Sequence, residues 1–272
     1  MAINCALLTE SPKPLFWSDM KIQYASDLHL ELQDNMKYIK RNPLPVNGEI
    51  LVLAGDIHYL DNPSISRLKF WDWCADNFQY TVVVPGNHEY YNNSDILSRG
   101  NSWHWMLRKN VGYFQNTAFR IGDVAFFVTT LWSVITNPNR QAVWNSLNDF
   151  YRIRCGEHAF TPSDYNALHF KCLDFLEKGL DLKEAHKVVV THHVPARCCV
   201  APHHLDTPLN DAFCANLDKF IEIRDVDVWI YGHSHTNIDK TIGKTKIVCN
   251  QLGYVNCPGE GVGFDPGKTI EI

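Results

Sequence analysis

Short apolar runs alternate with amphipathic stretches along most of this chain. Runs rich in β-branched and aromatic residues predict strands at KIQYAS (21–26), EILVLAG (49–55), YTVVVPG (80–86), VGYF (111–114) and AFRIG (118–122). Further strands are predicted at DVAFFVTTLW (123–132), HKVVVTH (186–192), DVWIYG (227–232), KTKIVCN (244–250) and KTIEI (268–272). Between them, four stretches read as helices: PSISRLKFWDWCADNF with Pro63 near a first turn, NNSDILSRGNSWHWMLRKN, TPSDYNALHFKCLDFLEKGLDL capped by Thr161, and TPLNDAFCANLDKFIEI.

Such alternation predicts an α/β protein whose central strands are mainly parallel. Turns at Gly122-Asp123 and at Gly243 add antiparallel hairpins, and two mixed sheets packed together accommodate both kinds. No linker, composition shift or repeat divides residues 20–272, so a single domain is expected there. Residues 1–19, with Pro12 and Pro14, read as an N-terminal extension. The stretch from about 133 to 165 is the least regular and reads as an insertion or lid.

Composition narrows the class. With 272 residues, 45% hydrophobic and 20% charged, the chain is an ordinary globular protein with a sizeable core. A formal net charge of -5 gives no basic footprint and argues against nucleic acid as the main partner. Nine cysteines, none in a CxxC pair, argue against a disulfide framework and for reduced thiols in a cytoplasm. Neither a membrane span nor a secretory signal is expected.

The chemistry is concentrated where strands end. Five apolar runs lead at their carboxyl ends into residues that bind divalent metals: Asp27 and His29, Asp56, Asn87 and His88, His192 and His193, and His233 and His235. In open α/β sheets that edge gathers ligands, so one crevice is expected to collect these side chains. Carboxylates, an amide oxygen and imidazoles form a set without thiolate, suited to Mn, Fe or Zn. The set exceeds what one tetrahedral zinc uses, whereas two ions about 3.5 to 4 Å apart would use it well. On an extended segment His233 and His235 share one face and would each serve a different ion. Each motif alone is weak, and DLH or GNHE is more often a polar turn. The adjacent Cys198 and Cys199 after His192-His193 make a poor zinc site, and the tryptophans at 71, 73, 103 and 105 read as packing.

In order and spacing, DLH (27–29), GD (55–56), GNHE (86–89), HH (192–193) and GHSH (232–235) resemble the calcineurin-like metallophosphoesterases. The resemblance implies a four-layer αββα sandwich of two mixed β-sheets flanked by helices. It implies that Asp27, His29 and His235 hold one ion, that Asn87, His192 and His233 hold a second, and that Asp56 bridges them. His192 is preferred over His193, which points to the opposite face if the strand continues. His88 stays uncoordinated and steadies the phosphoryl group or protonates the departing oxygen, while a metal-activated hydroxide attacks in line. The expected activity is therefore hydrolysis of a small-molecule phosphate ester, a phosphodiester or phosphomonoester of, for example, a nucleotide. The stretches GDIHYLD and VPGNHE lack the arginines of the related protein phosphatases, which disfavours a phosphoprotein substrate. The alternatives are a non-catalytic metal-binding regulatory or scaffold protein, and a nuclease. Around the site, Glu89 is a candidate partner of His88, and Asn148 and Asp149 are candidates to reach in from the irregular stretch. His58, Tyr90, Tyr91, His203 and His204 are candidates to line the cleft.

Overall fold

A computed structural model describes residues 20–272; the expected extension at 1–19 lies outside the described residues. One six-stranded sheet holds β1 (Lys21–Ala25), β2 (Ile50–Leu53), β3 (Tyr80–Val83), β5 (Trp103–Arg108), β6 (Val111–Gln115) and β15 (Thr269–Glu271), in the order β15-β1-β2-β3-β6-β5. A second holds β7 (Thr117–Ile121), β8 (Val124–Thr129), β11 (His186–Thr191), β12 (Val228–Tyr231), β13 (Lys240–Ile242) and β14 (Thr245–Cys249), in the order β13-β14-β12-β11-β8-β7. The four inner strands of each sheet run parallel, and the outer ones are antiparallel. A small sheet joins β4 (Ser94–Asp95), β9 (Ile153–Cys155) and β10 (His158–Ala159).

The inner strands read as unbroken apolar runs because both of their faces are buried. Ile50 and Val52 of β2, with Val188 and Val190 of β11, pack into the layer between the two sheets. Their neighbours face outward. Leu51 and Leu53 meet Ile39 of α1 (Gln33–Arg41) and Trp71 and Cys74 of α2 (Lys69–Asn77). On the far side Val189 meets Phe175 and Leu176 of α5 (Pro162–Leu180) and Ile221 of α6 (Asp218–Glu222). The result is the expected four-layer αββα sandwich of mixed sheets flanked by helices.

Two helix expectations fail. NNSDILSRGNSWHWMLRKN forms β4 and the edge strand β5: Gly100 takes φ +75, and Trp103, Trp105 and Leu107 alternate onto one core with the two-residue period of a strand. TPLNDAFCANLDKFIEI gives only a 3-10 turn at Pro208–Ala212 and the short α6, because an isolated bridge between Val194 and Cys214 pulls the middle into extended backbone. The 133–165 stretch carries α3 (Arg140–Ser146), α4 (Asp149–Arg152), β9 and β10.

Candidate metal centre

Every motif lies just past a strand's carboxyl end: Asp27 and His29 after β1, Asp56 after β2, Asn87 and His88 after β3, His192 after β11, and His233 and His235 after β12. Backbone bonds hold these loops together. The Asp27 amide donates to the Gly55 carbonyl at 3.0 Å, the His29 amide to Asp56 at 2.9 Å, and the Gly232 amide to His192 at 2.9 Å. The Ser26 amide donates to the Asn250 carbonyl at 2.9 Å and the Gly253 amide to the Asp27 carbonyl at 3.1 Å, so the first sheet is stitched to the chain leaving β14. Two glycines permit the close approach. A Cβ at Gly55 would sit 2.3 Å from His192 Nδ1, and one at Gly86 would sit 2.1 Å from Asp56 Oδ1.

The side chains fall into two groups whose donor atoms lie within 4.8 Å of one another: Asp27, His29 and His235, and Asp56, His192 and His233. In the first, His29 Nε2 faces His235 Nε2 at 3.1 Å, and His235 Nε2 lies 3.5 Å from Asp27 Oδ1. In the second, His192 Nε2 faces His233 Nδ1 and Asn87 Oδ1, each at 3.1 Å, and Asp56 Oδ1 at 3.3 Å. Asp56 reaches both groups, since its Oδ2 lies 3.9 Å from His29 Nε2.

The hydrogen-bond network assigns the ring tautomers. His29 Nδ1 donates to Glu31 Oε1 at 3.1 Å and His235 Nδ1 to Glu260 Oε2 at 2.7 Å. His192 Nδ1 donates to the Ala54 carbonyl at 2.8 Å, and His233 Nε2 to the Ala212 carbonyl at 3.3 Å. Asn87 Nδ2 donates to Asp149 Oδ1 at 2.9 Å and to the Tyr91 hydroxyl at 3.2 Å. With each outward nitrogen bound to an oxygen, the inward atoms are all lone pairs, carboxylate oxygens or an amide oxygen. Lone pairs facing each other at 3.1 Å repel unless a cation lies among them, so the donor set fits divalent metal ions. The surrounding acids draw positive charge to these nitrogens, a proton or a metal ion alike. Burial opposes charge on His192, but Asp56 pushes it up to about 9; His235 is pushed up to about 10 against burial by Asp27 and Glu260. Burial and the neighbouring His192 hold His233 down to about 3. Burial also works against ionisation of Asp56, yet the surrounding histidines hold it well below its ordinary value.

All seven expected ligands and His88 are thus brought together. His88 Nδ1 donates to Glu31 Oε1 at 3.0 Å, and its Nε2 lies 3.1 Å from the Tyr254 hydroxyl and 4.0 Å from Asp56 Oδ2. His193 joins neither donor group: its ring packs behind that of His233, centroids 4.1 Å apart, and beside Trp132, with its Nδ1 on the Thr130 carbonyl at 3.2 Å. Other expectations are corrected. Glu89 does not contact the His88 ring; its carboxylate accepts the amides of Asp56, Ile57 and Gly86 and the Tyr113 hydroxyl, fixing the Asp56 loop. Burial and the charge of Asp56 push Glu89 up to about 7. Tyr90 packs in the core against Trp132, and His58 is buried with its Nδ1 on the Tyr59 carbonyl. The His233–His235 pair is not extended, for both take positive φ, of 80° and 51°. Tyr91, Asn148, Asp149, His203 and His204 line a cavity of about 710 Å³ that also exposes Asp56, Asn87, His88, His233 and His235.

Sequence reasoning missed Glu31, Glu260 and Tyr254. Glu31 had a signal, a carboxylate two positions after a candidate ligand histidine. Tyr254 and Glu260 lie in LGYVNCPGEG, which carries no local signature of metal chemistry. No helix among the described residues is long and apolar enough to cross a membrane, and the eight cysteines among them are free.

Comparison with known proteins follows the same lines. Residues 20–237 match the family described as calcineurin-like phosphoesterase. An uncharacterized protein of Acanthamoeba polyphaga mimivirus is 26% identical over 277 residues, covering 92% of this chain and 96% of its own. Among solved structures, the phosphopantetheinyl hydrolase PptH of Mycobacterium tuberculosis superposes with a TM-score of 0.64 at 15% identity, covering 93% of this chain and 95% of that one. A putative 5'-nucleotidase of Staphylococcus aureus gives 0.44 at 14% identity, over 86% of this chain and 48% of that one. At these identities the structural likeness concerns the fold alone.

Proposed function

Because the chain belongs to the calcineurin-like phosphoesterase family, we propose that it hydrolyses a small-molecule phosphate ester at a centre of two divalent ions, Mn, Fe or Zn. In this reading Asp27, His29 and His235 hold one ion, Asn87, His192 and His233 hold the other, and Asp56 serves both. The observation that carries it is the pair of inward-facing donor groups sharing Asp56. When bound, two such ions supply Lewis-acid polarisation of phosphoryl oxygens and a water acidified toward neutral pH.

The chain's own residues do the rest. Glu31 fixes both His29 and His88 through their Nδ1 atoms, so that His88 Nε2 faces the cavity beside Asp56. From there it holds a proton for the departing oxygen. Tyr254 covers this corner, its ring centroid 4.6 Å from that of His29 and 4.7 Å from that of His235, which limits water there. Asp149 and Tyr91 orient the Asn87 carboxamide with its oxygen inward.

The test is metal analysis together with hydrolysis of bis-p-nitrophenyl phosphate. Manganese-loaded protein should bind two equivalents and hydrolyse the diester, and chelator-treated protein should not. Asp56→Asn should lower the stoichiometry below two, because the bridge contributes to each ion. Full retention of both equivalents would remove Asp56 from the shared position.

A further inference from the structure

The cavity beside the centre has a composition that the phosphoesterase reading does not require. Its volume of about 710 Å³ suits a drug-sized molecule rather than a phosphate group alone. Leu147, Val194, Val200, Leu209 and Phe213 line it, and Phe213 stacks on His233 with ring centroids 4.6 Å apart, so the apolar wall begins at the metal donors themselves. Among the described residues no lysine or arginine lines it. The two lining histidines outside the metal centre, His203 and His204, stand together with ring centroids 4.0 Å apart, and burial and His203 hold His204 below its ordinary value.

Charge narrows the ligand further. Asp27, Glu31, Asp56 and Glu260 surround the donor groups, and four ionised carboxylates equal the charge of two divalent ions. Asp149 adds a fifth acid on the cavity wall, which offsets the proton held by His88. A phosphomonoester dianion would enter a site with no surplus positive charge and no guanidinium or ammonium to meet its second charge. A diester carries one negative charge, and its second ester arm has an apolar wall to lie against.

We propose that the substrate is a phosphodiester monoanion bearing an apolar arm, aliphatic or aromatic, that lies along Leu147, Val200, Leu209 and Phe213 while phosphorus sits at Asp56 and His88. This rests on the phosphoesterase reading and names its substrate class. Hydrolysis breaks one P–O ester bond, water supplies the hydroxyl that stays on phosphorus and a proton goes to the departing alkoxide.

The experiment uses a series of alkyl p-nitrophenyl phosphodiesters, methyl to hexyl, with p-nitrophenyl phosphate as the monoester, all on manganese-loaded protein. Burial of one methylene corresponds to about fourfold. The hexyl ester should therefore exceed both the methyl ester and the monoester in kcat/KM by about tenfold or more. A second readout needs no turnover: in calorimetry, hexyl(methyl)phosphinate should bind about tenfold more tightly than dimethylphosphinate. Leu209→Asp should reduce both hexyl-to-methyl ratios. Hydrolysis of the esters with no dependence on chain length, or with the monoester preferred, overturns the apolar-arm proposal and leaves the phosphoesterase reading standing. Equal binding of the two phosphinates also overturns it. Failure to hydrolyse any ester in the set overturns both.

Discussion

Asp27, His29, Asp56, His233 and His235 all take positive φ, between 46° and 80°. Non-glycine residues reach that region at a cost of order 1 kcal/mol each, and Asp and His are among those that reach it more readily. Five such residues at one crevice mean that the loops were shaped to aim side chains rather than to relax the backbone. Around them, carboxylates fix ring orientation. His88→Ala should lower kcat by about 10²–10⁴ with metal content near normal, and an unaltered kcat would take His88 out of the reaction. Asp149→Ala removes the acceptor that turns Asn87 inward, and metal titration should show affinity weaker by about 10- to 100-fold. Of these residues the ligand types were legible in the sequence, because metals accept few side chains. Of their partners, Glu31 left only its place two positions after His29 as a signal and Glu260 left none, because an orienting carboxylate has no fixed offset from the ring that it orients.

At the scale of elements, the strands were legible wherever both faces are buried, since an unbroken apolar run has no competing solvated reading. The β5 segment failed because tryptophan, methionine and leucine suit either period, and only pairing with β6 chose the strand. Helix α5 shows the opposite case. Thr161 was expected as its cap, and it accepts the Asp164 amide at 3.3 Å while Asp164 accepts the Thr161 amide at 3.0 Å. Thr161→Ala should cost about 1 kcal/mol in denaturant unfolding. Burial works against ionisation of Asp164, yet bonds from Thr161 and His158 hold its pKa below the ordinary value. Its contribution is therefore present above the unfolded pKa of about 4 and lost as pH falls through the folded one. Accordingly, the stability gap between the wild type and Asp164→Ala, measured by urea melts across pH 6 to 2, should shrink toward the acid end.

For the whole molecule, the centre joins loops from both sheets, so metal binding is coupled to holding the sandwich together. Ligand at about 100 times its Kd adds about 2.7 kcal/mol to unfolding. Manganese at that excess should raise Tm by about 5 to 10 °C in a scanning melt. Asp56→Ala should remove most of that increment, and an equal rise in the variant would place metal binding elsewhere.

The sequence by itself determined the layered class, the parallel inner strands, and the residue types gathered at strand ends, because burial periodicity and metal-ligand chemistry are local properties of the chain. Only the tertiary structure decided that Glu260 and Tyr254 reach His235 and His88 from a distant loop, and that Glu89 fixes the Asp56 loop rather than the His88 ring. It also decided that one wall of the neighbouring cavity is apolar and that no lysine or arginine lines it among the described residues. Those facts depend on how loops from two sheets, far apart in sequence, meet at one edge, and no local pattern encodes the distance between them.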